Sequence, residues 1–199
     1  MEQVRSFIAI ELPDGLRQEL GQLEAQLKSG EQSRVKWANP DSIHLTLKFL
    51  GNIGINRVGE IIGVMEEAVR GISTFCLGVK DPGVFPNVKR AQVAWVGLSG
   101  DVDRLLHLQQ RLESGLESLG FAPESRAFTP HLTLARLHQR ATPDEQQRFG
   151  QLVADSRFEA ATTINVAAIS LMKSQLTREG AIYSRLGLVG LKDLQAATA

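Results

Sequence analysis

Residues 42–51 read SIHLTLKFLG, and residues 129–138 read TPHLTLARLH. The letters H-L-T-L recur 87 positions apart, which sets His44 over His131 and Thr46 over Thr133. One such tetrapeptide is no more than a half-buried strand with a histidine and a threonine on its wetter face. Its weight depends on whether the surrounding sequence repeats as well.

The surrounding sequence does repeat. Four amphipathic segments carry apolar residues at helical spacing. The first has Leu16, Leu20, Leu23 and Leu27, with Pro13 at its start and Gly30 at its end. The second has Val58, Ile61, Ile62, Met65 and Val69, and the third has Leu105, Leu112, Leu116 and Leu119. The fourth opens on Thr142, Pro143 and Glu145, a capping-box pattern. Strand-like runs lie between them: SFIAIEL, RVKWA, IHLTLKFL, TFCLGV, QVAWVGL, HLTLARL, TINVAAISLM and AIYSRLGLV. Sliding the chain by 87 positions lays Phe7 over Ala94, the helix at Asp14 over the helix at Asp101, Asn56 over Pro143, and residues 74–79 over 161–166. The pattern predicts two copies of a strand–helix–strand–helix–strand unit, about 5–91 and 92–178, with an extra strand near 181–189. With no third copy, the pattern does not point to a solenoid. The expected fold is α+β: a bilobal, pseudo-twofold duplication whose sheets face a central cleft, the whole chain 1–199 forming one domain.

Bulk properties narrow the function. The 199 residues are 43% hydrophobic and 22% charged, with a formal net charge of zero. No global basic field announces a long nucleic acid, although a local Arg/Lys cluster suffices for contact with an RNA end. The single cysteine, Cys76, rules out an intrachain disulfide. Its place in the apolar run FCLGV predicts a small buried side chain. No run is long enough to span a bilayer and the N-terminus lacks a signal-peptide layout, so the expected location is cytoplasmic and the expected state a monomer.

In a strand, successive side chains point to opposite faces. His44 therefore shares a face with Thr46, and His131 with Thr133, while Leu45, Leu47, Leu132 and Leu134 turn to a core. Across a pseudo-twofold cleft the two imidazoles can work as general base and general acid, since each titrates near neutrality. Two hydroxyls beside them can hold the non-bridging oxygens of a phosphate. Arg136 adds a cation, but it lies five residues from His131. An ideal strand would turn it to the apolar face, and it reaches the site only if the strand ends or bulges. The duplicate position holds Phe49, so the lobes differ chemically. His107 and His138 are expected in solvent. Trp37 is expected in the core, and Lys89 and Arg90 on a solvated turn. The histidine spacing fits no zinc motif, and neither a glycine-rich nucleotide loop nor a G-x-S-x-G elbow is present, so no metal and no cofactor are expected.

The paired motifs, with RSFIAIELP, VKWANPDSIHLTLKFLGNI, GVFPNVKRAQVAWVGL and FTPHLTLARL around them, resemble the 2H phosphoesterase superfamily. Within it they are similar to the bacterial RNA 2′,3′-cyclic phosphodiesterases, also called 2′-5′ RNA ligases. The resemblance implies a bilobal fold and hydrolysis of a terminal 2′,3′-cyclic phosphate to a 2′-phosphate. It implies that His44 is the proton donor and His131 the acceptor, and that Thr46, Thr133 and Arg136 bind the phosphate. It also implies ligation of tRNA halves, the same chemistry with a 5′-hydroxyl in place of water. Two alternatives stand beside this reading: a phosphodiesterase of small cyclic nucleotides, and a protein that binds RNA ends without turnover.

Overall fold

Alternation decides the placement of the motif strands. Leu45, Leu47, Leu132 and Leu134 are almost wholly buried, whereas His44, Thr46, His131 and Thr133 are partly exposed. Each of these leucines contributes roughly 1.5–3 kcal/mol on leaving water. A one-residue slip of either strand would forfeit that burial, so the register is strongly held.

The computed structural model describes residues 2–29, 34–177 and 181–192. In chain order the elements are β1 (Gln3–Glu11), α1 (Asp14–Lys28), β2 (Val35–Trp37), β3 (His44–Gly54), α2 (Val58–Val69), β4 (Phe75–Phe85), β5 (Val93–Gly100), α3 (Val102–Ser118), β6 (His131–Leu137), α4 (Pro143–Asp155), β7 (Ile164–Val166), β8 (Ala168–Leu176) and β9 (Ala181–Gly190). The predicted leucine face of α1 is buried, as are Leu105, Leu112 and Leu116 of α3, whereas the predicted Leu119 is the half-buried C-cap residue just past the helix; Thr142 and Glu145 close the capping box on α4. The predicted terminator of α1, Gly30, lies outside the described residues. No helix among the described residues is long and apolar enough to cross a membrane.

The strands form two antiparallel sheets, one in the order β3-β1-β8-β9 and the other β2-β6-β5-β4-β7. The duplication is visible in them, with an exchange. β4 closes the first repeat but pairs with β5 of the second, and β8 closes the second but pairs with β1 of the first. Each sheet therefore contains strands from both repeats. A single hydrophobic core runs through both, joining the buried faces of the sheets to those of the helices.

The register corrects the simple slide by 87. Thr46 pairs with Ala9 and Thr133 with Trp95, so β1 overlies β5 at an offset of 86 and Phe7 corresponds to Val93, not Ala94. Cys76 is also corrected. It is exposed, because along β4 the inward positions fall to Phe75, Leu77 and Val79. Trp37 packs partly buried against the core, 6.4 Å from the Phe149 ring.

Candidate active site

Strands β3 and β6 are in contact where the two sheets meet. The sequence enforces this approach. β2 pairs with the edge of β6, and a short 3-10 turn at Pro40–Ser42 then carries the chain directly into β3 of the other sheet.

Each motif histidine is tethered in the same way. His44 Nδ1 lies 2.9 Å from the Ser42 carbonyl, and His131 Nδ1 lies 2.6 Å from the Thr129 carbonyl. A carbonyl only accepts, so Nδ1 carries the proton and donates in both rings. That leaves Nε2 as the nitrogen available to take up or release a proton.

Arg136 reaches the cleft side through a bulge. Thr133 pairs with Trp95 and Ala135 with Ala94, so Leu134 is the extra residue of β6. Leu134 and Ala135 are both buried, and Arg136 emerges exposed. The first repeat bulges at the equivalent residue, Leu47, since Thr46 pairs with Ala9 and Lys48 with Ile8. There Lys48 is buried at 3% exposure and Phe49 emerges at 55%. Lys48 is tolerated inside because its ammonium donates to Glu113 at 2.7 Å and to the Ala122 carbonyl at 2.8 Å. A second irregularity follows at Leu50, and Gly51 takes φ +70° there, a conformation that suits glycine.

The two histidines have different surroundings. The His44 ring stacks on Phe7 with centroids 4.5 Å apart and meets Tyr183 of β9 edge-on at 5.0 Å. The His131 ring meets Phe85 edge-on at 5.0 Å. Burial pushes both imidazoles below their ordinary range, and the carbonyl tethers oppose it. The remaining charges act in opposite senses. Glu11, the cross-strand partner of His44, pulls that ring back up, whereas Arg136 pushes His131 further down. Glu11 is itself held by both guanidinium arms of Arg185 at 2.9 Å and by the Ser170 hydroxyl at 2.5 Å. Arg185 beside it holds the Glu11 carboxyl below the usual range.

The two repeats are tied together electrostatically. Burial raises the Tyr183 phenol while the Arg136 and Arg5 charges hold it down, so the guanidinium of the second motif acts on a side chain that touches the first histidine. Among the described residues no cluster of three or more His, Cys, Asp or Glu could hold a metal ion. His107, His138, Lys89 and Arg90 are exposed. Sequence reading missed Glu11, Tyr183 and Arg185. The alternation of Phe7, Ala9 and Glu11 against Ile8 and Ile10 places Glu11 on the polar face. Tyr183 and Arg185 lie on the strand outside the repeat and carry no such signal.

Two tethered histidines on corresponding strands of the duplication match the pattern of a two-histidine phosphoesterase. The comparisons agree: the profile described as "LigT like Phosphoesterase" matches residues 10–95 and 96–183. The chain belongs to that family, the LigT-like 2H phosphoesterases, which are hydrolases. An RNA 2′,3′-cyclic phosphodiesterase of Methanothermobacter thermautotrophicus is 32% identical over 92% of this chain and 96% of its own length. One from Thermotoga maritima is 30% identical over 92% and 93%. Among solved structures, a Thermus thermophilus protein superposes with a TM-score of 0.78 at 23% identity, covering 96% of this chain and 99% of its own. Escherichia coli LigT complexed with 3′-AMP gives 0.76 at 24%, covering 96% and 100%.

Proposed function

We propose that this protein hydrolyses the 2′,3′-cyclic phosphate at an RNA end to a 2′-phosphate, using His44 and His131 without a metal. In this mechanism His131 Nε2 takes a proton from water as the water oxygen attacks phosphorus. The bond from phosphorus to the 3′-oxygen breaks, and protonated His44 delivers its Nε2 proton to that oxygen. Thr46, Thr133 and Arg136 hold the non-bridging oxygens, whose charge grows in the transition state. The two repeats act as one catalytic domain, because their closing strands are exchanged between the sheets. A 5′-hydroxyl in place of water gives a 2′-5′ linkage by the same steps.

The observation that carries this reading is the tethered pair with opposed charges. Both rings keep Nδ1–H on a carbonyl, and both leave Nε2 for the chemistry. Glu11 favours a charged His44, and Arg136 favours a neutral His131, which supports the first as acid and the second as base. The relatives named RNA 2′,3′-cyclic phosphodiesterase, aligned over nearly the whole chain, support the substrate. The test is incubation with a cyclic-phosphate-ended oligoribonucleotide and identification of the product by phosphorus NMR. A 2′-phosphate is expected. A 3′-phosphate product, or an intact cyclic end under single-turnover conditions, refutes the assignment.

A further inference from the structure

Sheet β3-β1-β8-β9 opens at one end. The ladder between β1 and β8 runs from Ala9↔Ser170 to Ser6↔Lys173 and stops there, although β1 begins at Gln3 and β8 continues to Leu176. The separated strand ends bound a slot of about 530 Å³ lined by Arg5, Asn52, Lys173, Ser174 and Gln175 among others. Its named polar groups are two cations, two amides and a hydroxyl, with no carboxylate among them. Alternation puts Arg5 on the face of β1 that carries Phe7 and Glu11, the face turned to His44. Arg5 lies two residues beyond Phe7, about 7 Å along the strand. Ser174 pairs with Tyr183, which touches both Phe7 and His44. The Tyr183 phenol feels both Arg136 and Arg5. Arg5, Ser174 and Tyr183 thus share the face turned to His44, while Lys173, opposite Ser6, enters the slot from the other face of the sheet. Lys173 lies 4.0 Å from Glu2, whose side chain is 69% exposed, so a phosphate can displace that contact. The second repeat has no equivalent, because β9 is unduplicated and Arg5 corresponds to Ala91 at the offset of its strand.

We infer that this slot is a subsite for an internucleotide phosphate of the RNA strand whose cyclic end lies between the histidines. The inference rests on the function proposed above and adds that the preferred substrate is an oligonucleotide and not a mononucleotide. It also gives the strand a direction, running out past Tyr183 on the β9 side.

The test compares two probes on the full chain: a labelled hexaribonucleotide ending in a 3′-phosphate, and a 3′-mononucleotide. Their binding is measured across a salt series for the wild type and for Arg5→Gln/Lys173→Gln. The double variant should weaken hexamer binding by about 10-fold or more and flatten its log–log salt slope by about 0.7, the value for one phosphate no longer neutralised on a single strand. Mononucleotide affinity should stay unchanged, which also reports an intact fold. Unaltered hexamer binding, or equal weakening of both probes, overturns the subsite. Absence of wild-type hydrolysis would refute the proposed reaction alone, because the binding comparison does not depend on turnover.

Discussion

Arg136→Gln separates a phosphate-binding arginine from a surface one by two independent readouts. The bulge at Leu134 delivers Arg136 to the cleft side, where its charge acts on His131 and on Tyr183. A hydrogen bond from a charged donor to the phosphate is worth about 1.5–3 kcal/mol. At about 1.36 kcal/mol per decade, kcat/KM should fall roughly 10- to 150-fold. The second readout is the pH profile on a 2′,3′-cyclic mononucleotide. On the proposed mechanism activity requires a neutral His131, so the ascending limb follows that residue. Arg136 disfavours the charged ring, and its removal lets the ring hold its proton to higher pH. The ascending limb should therefore move to higher pH, while the descending limb, which belongs to His44, stays. Competitive inhibition by inorganic phosphate should weaken in parallel. Arg136→Lys should restore the limb, because the charge returns, but recover only part of the phosphate affinity, because the two-donor fork does not. Unchanged phosphate inhibition together with an unmoved ascending limb would refute the placement of Arg136 at the site.

His44→Ala and His131→Ala should each lower turnover roughly 10²–10⁴-fold, and the double variant should lose far less than the product of the two; near-normal turnover in either single variant removes that residue from the mechanism. Glu11→Gln should shift the descending limb to lower pH, since the charged form of His44 loses its anionic neighbour and gains an unpaired Arg185; a shift to higher pH contradicts the assignment. Turnover should survive exhaustive chelation with EDTA, and loss that is reversed by added zinc or magnesium would sink the two-histidine mechanism. Lys48→Met should destabilise the fold at or somewhat below the low end of the roughly 3–5 kcal/mol typical of a broken buried pair, because Glu113 keeps its Gln109 bond and is 17% exposed. Urea denaturation should show a lower midpoint at unchanged slope, and Lys48→Met/Glu113→Leu should recover most of the loss; a double variant as unstable as the single one denies that the ion pair holds the bulge.

The repeated motif makes the duplication and the histidine–threonine pairs legible, because period-two alternation converts letters directly into faces. The exchange of β4 and β8 between the sheets is not legible. Pairing partners are chosen by long-range packing, and no local signal in either strand names its neighbour. The bulges are half legible. In T-L-A-R, two adjacent apolar residues between polar ones break the alternation, which is how Arg136 escapes the core. In T-L-K-F the same device is disguised, since Lys48 reads as polar and is buried only because Glu113 and the Ala122 carbonyl await it on and after another helix. Cys76 misleads because an apolar run reads as buried on both faces, whereas the N-terminal part of β4 buries only one.

Acid–base catalysis by two histidines raises a question that perfect symmetry leaves open: which ring gives the proton and which takes it. Duplication gives the two imidazoles the same kind of backbone tether, and two equivalent groups share a proton equally, so neither is marked as the donor. The productive state needs one ring neutral and one charged. Charges of opposite sign beside the two rings break the equivalence, and this chain has them at positions the repeat does not share. Arg136 stands where the first repeat has Phe49, and Glu11 stands where the second repeat has Gly97. Glu11 depends in turn on Arg185 of β9, the strand outside the duplication. On the proposed mechanism the repeat supplies the geometry, and the unduplicated residues decide which histidine gives the proton and which takes it.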